Sequence, residues 1–146
     1  MEPAAEQAIN FFSEGVVFSF LDEGQVQDWL MRIVHVYNAS LDEINYIFCS
    51  DEYLLTLNKQ YLDHDYYTDI LTFPNSEPGQ PISADIYISI ERVRENAQAF
   101  QSELMDELAR VMVHGLLHLL GFDDHSPEAA AQMREAEDVA LAAKPF

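Results

Sequence analysis

The sequence predicts a single α+β domain in which a mixed sheet of about four strands packs with helices. Its 146 residues fit one domain spanning 1–146, large enough to bury roughly two-thirds of the surface the unfolded chain exposes. Short β-branched and aromatic runs alternate with segments of helical spacing, and from Glu91 onward only helical spacing remains. Five glycines, six prolines and 12% aromatic residues exclude a linker-rich or disordered chain.

Val16 to Phe20 is the first predicted strand, followed by a helix from Glu23 to Tyr37 with apolar residues at Val26, Leu30, Ile33, Val34 and Tyr37. Glu43 to Cys49 alternates and then turns apolar, as a strand entering a core does. Ser50 caps a helix from Asp51 to Tyr61, with Asp51 and Glu52 in its first turn. Thr68 to Phe73 and Ala84 to Ile90 are two further strands, separated by the loop Pro74-Asn75-Ser76-Glu77-Pro78-Gly79-Gln80-Pro81. Three helices close the chain: Glu91 to Phe100, a long one capped by Ser102 and ended by Gly121, and one that opens on Ser126-Pro127.

Seven cationic against 26 acidic residues give a net charge of −19. A bulk basic surface is excluded, so any nucleic acid must bind through a small local patch or a metal. Cys49 is alone and sits in an apolar run, an inert core thiol rather than a disulfide partner. MEPAAEQAIN has no basic n-region, which argues against a signal peptide. Val111 to Phe122 is the longest uncharged apolar run and is too short to span a bilayer. The expectation is a soluble protein of a reducing compartment, the cytoplasm, with no membrane partner.

The chemistry concentrates in His114-Gly115-Leu116-Leu117-His118-Leu119-Leu120-Gly121-Phe122-Asp123-Asp124-His125. Residues four apart on a helix differ by about 40° in direction and about 6 Å in rise, so His114 and His118 reach one ion. They share a helix side with Glu103, Glu107 and Arg110, away from the Leu/Val/Met arc. Gly121 lets the chain turn back, and Asp123-Asp124-His125 follows where a third ligand is needed. Two imidazoles and one loop ligand leave the fourth position of a tetrahedral zinc open, as catalysis requires. Zinc peptidases place Glu directly after the first histidine as general base. Gly115 stands there instead, permitting close approach of backbone or substrate, so peptidase chemistry is demoted.

The His114-Gly115-xx-His118-xx-Gly121 pattern with its acidic-histidine tail resembles the YbeY family of bacterial zinc-dependent endoribonucleases and rRNA maturation factors. Leu57-Asn58, Thr68-Asp69-Ile70-Leu71-Thr72-Phe73 and Ala84-Asp85-Ile86-Tyr87-Ile88-Ser89 precede it in the family's order. The resemblance implies one Zn2+ held on the long helix and the loop after it, with His114 and His118 as ligands and catalytic residues. It implies cleavage of single-stranded rRNA, maturation of the small-subunit 3′ end and a role in ribosome quality control. The family's third histidine aligns without a gap on Asp124, and a shifted loop would offer His125; Asp124 is the favoured third ligand and catalytic residue.

The family also carries arginine one residue after Tyr61, where this chain has Leu62. Loss of a guanidinium near a phosphodiester transition state costs rate. Lys59, His64 and Arg110 are the candidate replacements, and Thr68 and Asp69 are expected to line the substrate cleft. Tyr66 and Tyr67 are read as packing residues before base-stacking ones. Given the acidic charge, recruitment to the ribosomal small subunit by a ribosomal protein or an assembly GTPase is expected. Two rival readings stand beside this: a non-catalytic zinc-binding assembly factor, and a peptidase-like zinc hydrolase.

Overall fold

Alternation along the strands decides the layers. The computed structural model describes residues 8–20 and 22–146; most of the N-terminal segment that argues against a signal peptide lies outside them. Its elements run β1 (Ile9–Ser13), α1 (Glu23–Val36), β2 (Leu41–Cys49), α2 (Asp51–Leu62), β3 (Ile70–Pro74), β4 (Ile82–Ser89), α3 (Ile90–Ala99), α4 (Leu104–Leu119) and α5 (Pro127–Ala142). The strands form one mixed sheet in the order β1-β2-β4-β3. β1 and β4 flank β2 in parallel, and β3 is an antiparallel edge.

Ile44, Tyr46 and Phe48 of β2 and Ile82, Ile86 and Ile88 of β4 point to one face, where they join α1 and α4 in the main core. Fully burying each such side chain stabilises by roughly 1.5–3 kcal/mol. The opposite face is smaller: Cys49, Leu71, Phe73 and Tyr87 pack with Leu54 and Leu57 of α2. Cys49 is buried there as expected, and burial pushes its thiol up to about 12.

Two local expectations are overturned. Val16 to Phe20 is not a strand, and the strand that lies before α1 is β1, at Ile9–Ser13. Phe18 and Phe20 nevertheless enter the core, edge-on to each other and to Phe48, so their apolar signal reports burial rather than ladder pairing. Ser102 does not cap α4: Glu103 holds that position without a side-chain bond, while the Ser102 amide donates to Ala97 O at 2.9 Å. The Ser50 and Ser126 caps form as expected.

Three contacts fix α4. The buried Tyr46 hydroxyl donates to Met112 O at 3.0 Å. A Cβ on Gly115 would lie 2.8 Å from Ile70 Cδ1 and 3.3 Å from Thr72 Oγ1, so the helix packs close on β3 and a side chain here would have to displace Ile70. On its far side α4 meets the buried Met133, Ala136 and Ala140 of α5. Ala140 O accepts from Trp29 Nε1 at 3.0 Å, which ties α5 to α1. Among the described residues no helix is long and apolar enough to cross a membrane.

Candidate metal centre

The end of α4 is built as a Schellman turn. Gly121 has φ +105°, its amide donates to His118 O at 3.1 Å, and the Phe122 amide donates to Leu117 O at 3.0 Å. The reversal turns Phe122 O back onto His118, whose Nδ1 donates to it at 3.1 Å. The Asp123 side chain then accepts from the His125 amide at 3.1 Å, closing the turn that presents Asp124.

His114 Nε2 and His118 Nε2 lie 3.1 Å apart, and Asp124 Oδ2 is 3.6 Å and 3.9 Å from them. These three residues form a group whose ligand atoms all lie within 4.8 Å of one another. His125 is exposed and outside the group. His114 Nδ1 donates to Glu137 Oε2 at 2.7 Å. With both Nδ1 atoms serving as donors, both Nε2 atoms present lone pairs, and they face a carboxylate oxygen. With both rings neutral, three potential ligand atoms converge here, an arrangement that can hold a cation. For tetrahedral zinc with Zn–N near 2.0–2.1 Å, ligand atoms stand about 3.3 Å apart, close to the spacings here.

By type and spacing Glu128, Glu135, Glu137 and Asp138 of the last helix read as an ordinary solvated acidic face, and the structure corrects this for Glu137. It is 4% exposed and accepts from His114 and from Arg110 Nη1 at 2.8 Å, while Arg110 Nη2 donates to Asp138 at 2.8 Å. Burial pushes its carboxyl up, but the bonds from His114 and Arg110 outweigh burial and hold it below the usual carboxylate range. The same bond raises His114, against burial. Burial and the neighbouring His114 lower His118, favouring the neutral ring that binds metal.

A pocket of about 290 Å³ opens beside His114 and Asp124, walled by Asp69, Glu107, Arg110, Arg134 and Glu137. Asp69 is half-buried, and burial raises its carboxyl. A larger cleft of about 770 Å³ lies beyond His118, between the 75–81 loop and the turn after α1. Thr68 lines neither cavity; its hydroxyl lies 3.5 Å from Ile70 O. The cations expected near substrate are engaged. Lys59 pairs with Asp65 at 3.3 Å away from the pocket, and Arg110 reaches the pocket but is held by Glu137 and Asp138. His64 stacks on Tyr66. Gly115 faces Ile70, Thr72 and Ile86, so the close approach there is between helix and sheet, and a peptidase's glutamate at this position would have to displace Ile70 and point into the sheet.

Residues 16–144 match the family described as endoribonuclease YbeY. The chain is 48% identical over 141 residues to the endoribonuclease YbeY of Cytophaga hutchinsonii, covering 97% of this chain and 99% of that one. It is 44% identical over 135 residues to that of Bacteroides thetaiotaomicron, covering 92% and 98%. The solution structure of a Thermotoga maritima protein aligns with a TM-score of 0.65 at 29% identity, covering 91% of this chain and 86% of the other.

Proposed function

The chain belongs to the endoribonuclease YbeY family and is a metal-dependent endoribonuclease, and we propose that His114, His118 and Asp124 hold one zinc ion at its cleavage centre. The observation that carries this is the convergence of two imidazole Nε2 atoms and one carboxylate oxygen within 4.8 Å of one another, beside an open pocket. A zinc ion bound there supplies Lewis-acid stabilisation of the charge that develops on a phosphoryl oxygen.

The protein's own groups do the rest. Glu137 and Phe122 O fix both imidazoles by their Nδ1 hydrogens, so each ring keeps one tautomer and one orientation. Asp69 shares the pocket wall with His114, and its raised affinity for a proton suits it to accept one from the nucleophile, whether the RNA 2′-hydroxyl or water. The favoured substrate is a single strand, because a duplex keeps its backbone at the radius of a rod whereas a flexible strand folds into a pocket of this size. The cellular reading is maturation of the small-subunit rRNA 3′ end and ribosome quality control in the cytoplasm. With a net charge of −19 the protein has little affinity for free RNA, so a ribosomal protein or an assembly GTPase recruits it. Tight, salt-insensitive binding to naked RNA would contradict that arrangement.

The test pairs metal content with cleavage. Mass spectrometry of the native protein should give about one zinc per chain, lost in the His114→Ala/His118→Ala variant, and cleavage of a single-stranded RNA should be lost with it. A 2′,3′-cyclic phosphate end would identify the RNA 2′-hydroxyl as the nucleophile; its absence would identify water. Zinc retained without both histidines would overturn the ligand set. Normal ribosome maturation by a folded His114→Ala protein would replace catalysis with a docking role.

A further inference from the structure

We propose that Arg134 binds a backbone phosphate of the RNA strand at the metal centre. The inference rests on the endoribonuclease reading, which supplies a substrate with a phosphate on every residue.

It follows from accounting for each of the seven cations. Lys59 is paired with Asp65, Arg92 with Asp51 and Glu95, and Lys144 with Asp106. Arg110 is paired with both Glu137 and Asp138. Arg32 bonds Asp28 O on its own helix, and neither it nor Arg94 lines the pocket beside His114. Arg110 and Arg134 are the two cations in that pocket wall, and Arg110 is committed to keeping Glu137 ionised against His114. Arg134 is exposed and makes no ion pair within 4.0 Å among the described residues.

The surroundings make such a cation necessary. Asp69, Glu107, Asp124 and Glu137 share this wall, and a phosphodiester approaching them is repelled unless positive charge offsets it. Arg134 also borders the adjoining groove of about 520 Å³ between α4 and α5, which holds Ser102, Asp106 and Glu107. It therefore stands where a strand passes from the metal centre into that groove. Its planar fork can give two hydrogen bonds to one phosphate. Position 134 lies one turn before Asp138 and on the solvent side of Met133 and Glu137, so the backbone presents the side chain at the pocket rim.

The experiment measures binding of a fully 2′-O-methylated single strand by fluorescence anisotropy, as a function of salt, with the zinc-loaded protein. Cleavage of the unmodified strand is followed separately. Arg134→Gln should weaken binding about ten-fold, the loss expected for one charge-assisted hydrogen bond. It should also reduce the slope of log affinity against log salt by about 0.7, the value for one phosphate contact on a single strand. Arg134→Lys should restore the slope, and Arg94→Gln, which removes an equal charge elsewhere, should change neither affinity nor slope beyond about two-fold screening effects. Unchanged melting of Arg134→Gln would separate the contact from any role in folding. Wild-type affinity and slope in Arg134→Gln would overturn the inference, as would an equal loss in Arg94→Gln. A reduced slope in Arg134→Gln, from a wild-type protein that leaves the unmodified strand intact, would uphold the phosphate contact and sink the nuclease reading instead.

Discussion

Replacing Glu137 by glutamine changes neither shape nor size, only the ability to accept two hydrogen bonds at once. In the native protein one oxygen takes His114 Nδ1–H at 2.7 Å and the other takes Arg110 Nη1–H at 2.8 Å. The glutamine amide must turn its NH2 toward one of these donors. Turned toward His114, it makes Nδ1 the acceptor, moves the ring hydrogen to Nε2 and points it at the metal position. Turned toward Arg110, it sets donor against donor and forfeits a charge-assisted bond of about 1.5–3 kcal/mol. Glu137 is 4% exposed, so water compensates neither loss. Either orientation predicts zinc affinity lower by about 10- to 100-fold, the range for groups that hold a metal-bound histidine. Competition against a chromophoric chelator at neutral pH measures this directly, with circular dichroism confirming the fold. Zinc affinity within two-fold of wild type in folded Glu137→Gln protein would show that the bond does not set the His114 tautomer, and the account of the site built on it would fail.

Other outcomes follow from the same contacts. Gly115→Glu should destabilise by about 3 kcal/mol or more, as an unpaired buried charge does, and urea denaturation would show it; a stable variant would mean α4 can move off β3. Ser89→Ala removes both the α3 cap, which accepts from the Arg92 amide at 3.1 Å, and the hydroxyl bonded to Asp51 at 2.8 Å, and should cost about 1–2 kcal/mol in the same assay. Asp69 has a folded-state carboxyl raised by burial, so its contribution to stability is present below the unfolded value of about 3.9 and is lost as pH rises through the raised one. Asp69→Asn should therefore be more stable than wild type at neutral pH, with the advantage vanishing near pH 4, while RNA cleavage falls; equal stability at both pH values would remove the burial argument. Stripping the metal with a chelator should lower the melting temperature by the equivalent of about 2.7 kcal/mol when free zinc had been at 100 times its Kd; an unmoved melting curve would mean the ion is not held by the folded state.

The central strands and the histidine helix are legible because each has a period: apolar residues alternate in β2 and β4, and His114 and His118 stand one turn apart on α4, whereas the count of four holds because β1 stands in for the 16–20 segment. The segment at 16–20 misled because aromatic and β-branched residues report burial in general, and here they cover the sheet as a loop beyond Gly15, whose φ is +71°. Glu137 was missed although its signal is present. Met133, Ala136, Glu137 and Ala140 follow the i, i+3, i+4, i+7 pattern of one buried helix stripe, and an acidic residue on such a stripe demands a partner from the facing helix. His114 and Arg110 of α4 are that partner. Arg134 could not have been singled out by type or spacing, because what distinguishes it is that the pocket's other cation is already paired. The choice between Asp124 and His125 turned on a single residue of loop geometry, which local pattern does not encode.

The bond between His114 and Glu137 joins a residue of α4 to one 23 positions later in α5, and α5 contributes no member of the candidate ligand group. Metal affinity and the docking of the last helix are therefore two faces of one equilibrium. By reciprocity, whatever factor the docked helix adds to zinc binding, zinc adds to the docking of the helix. Amide exchange along residues 127–142 should slow when zinc is supplied, and anything that levers this helix away, a partner included, would release the ion without touching the residues that hold it.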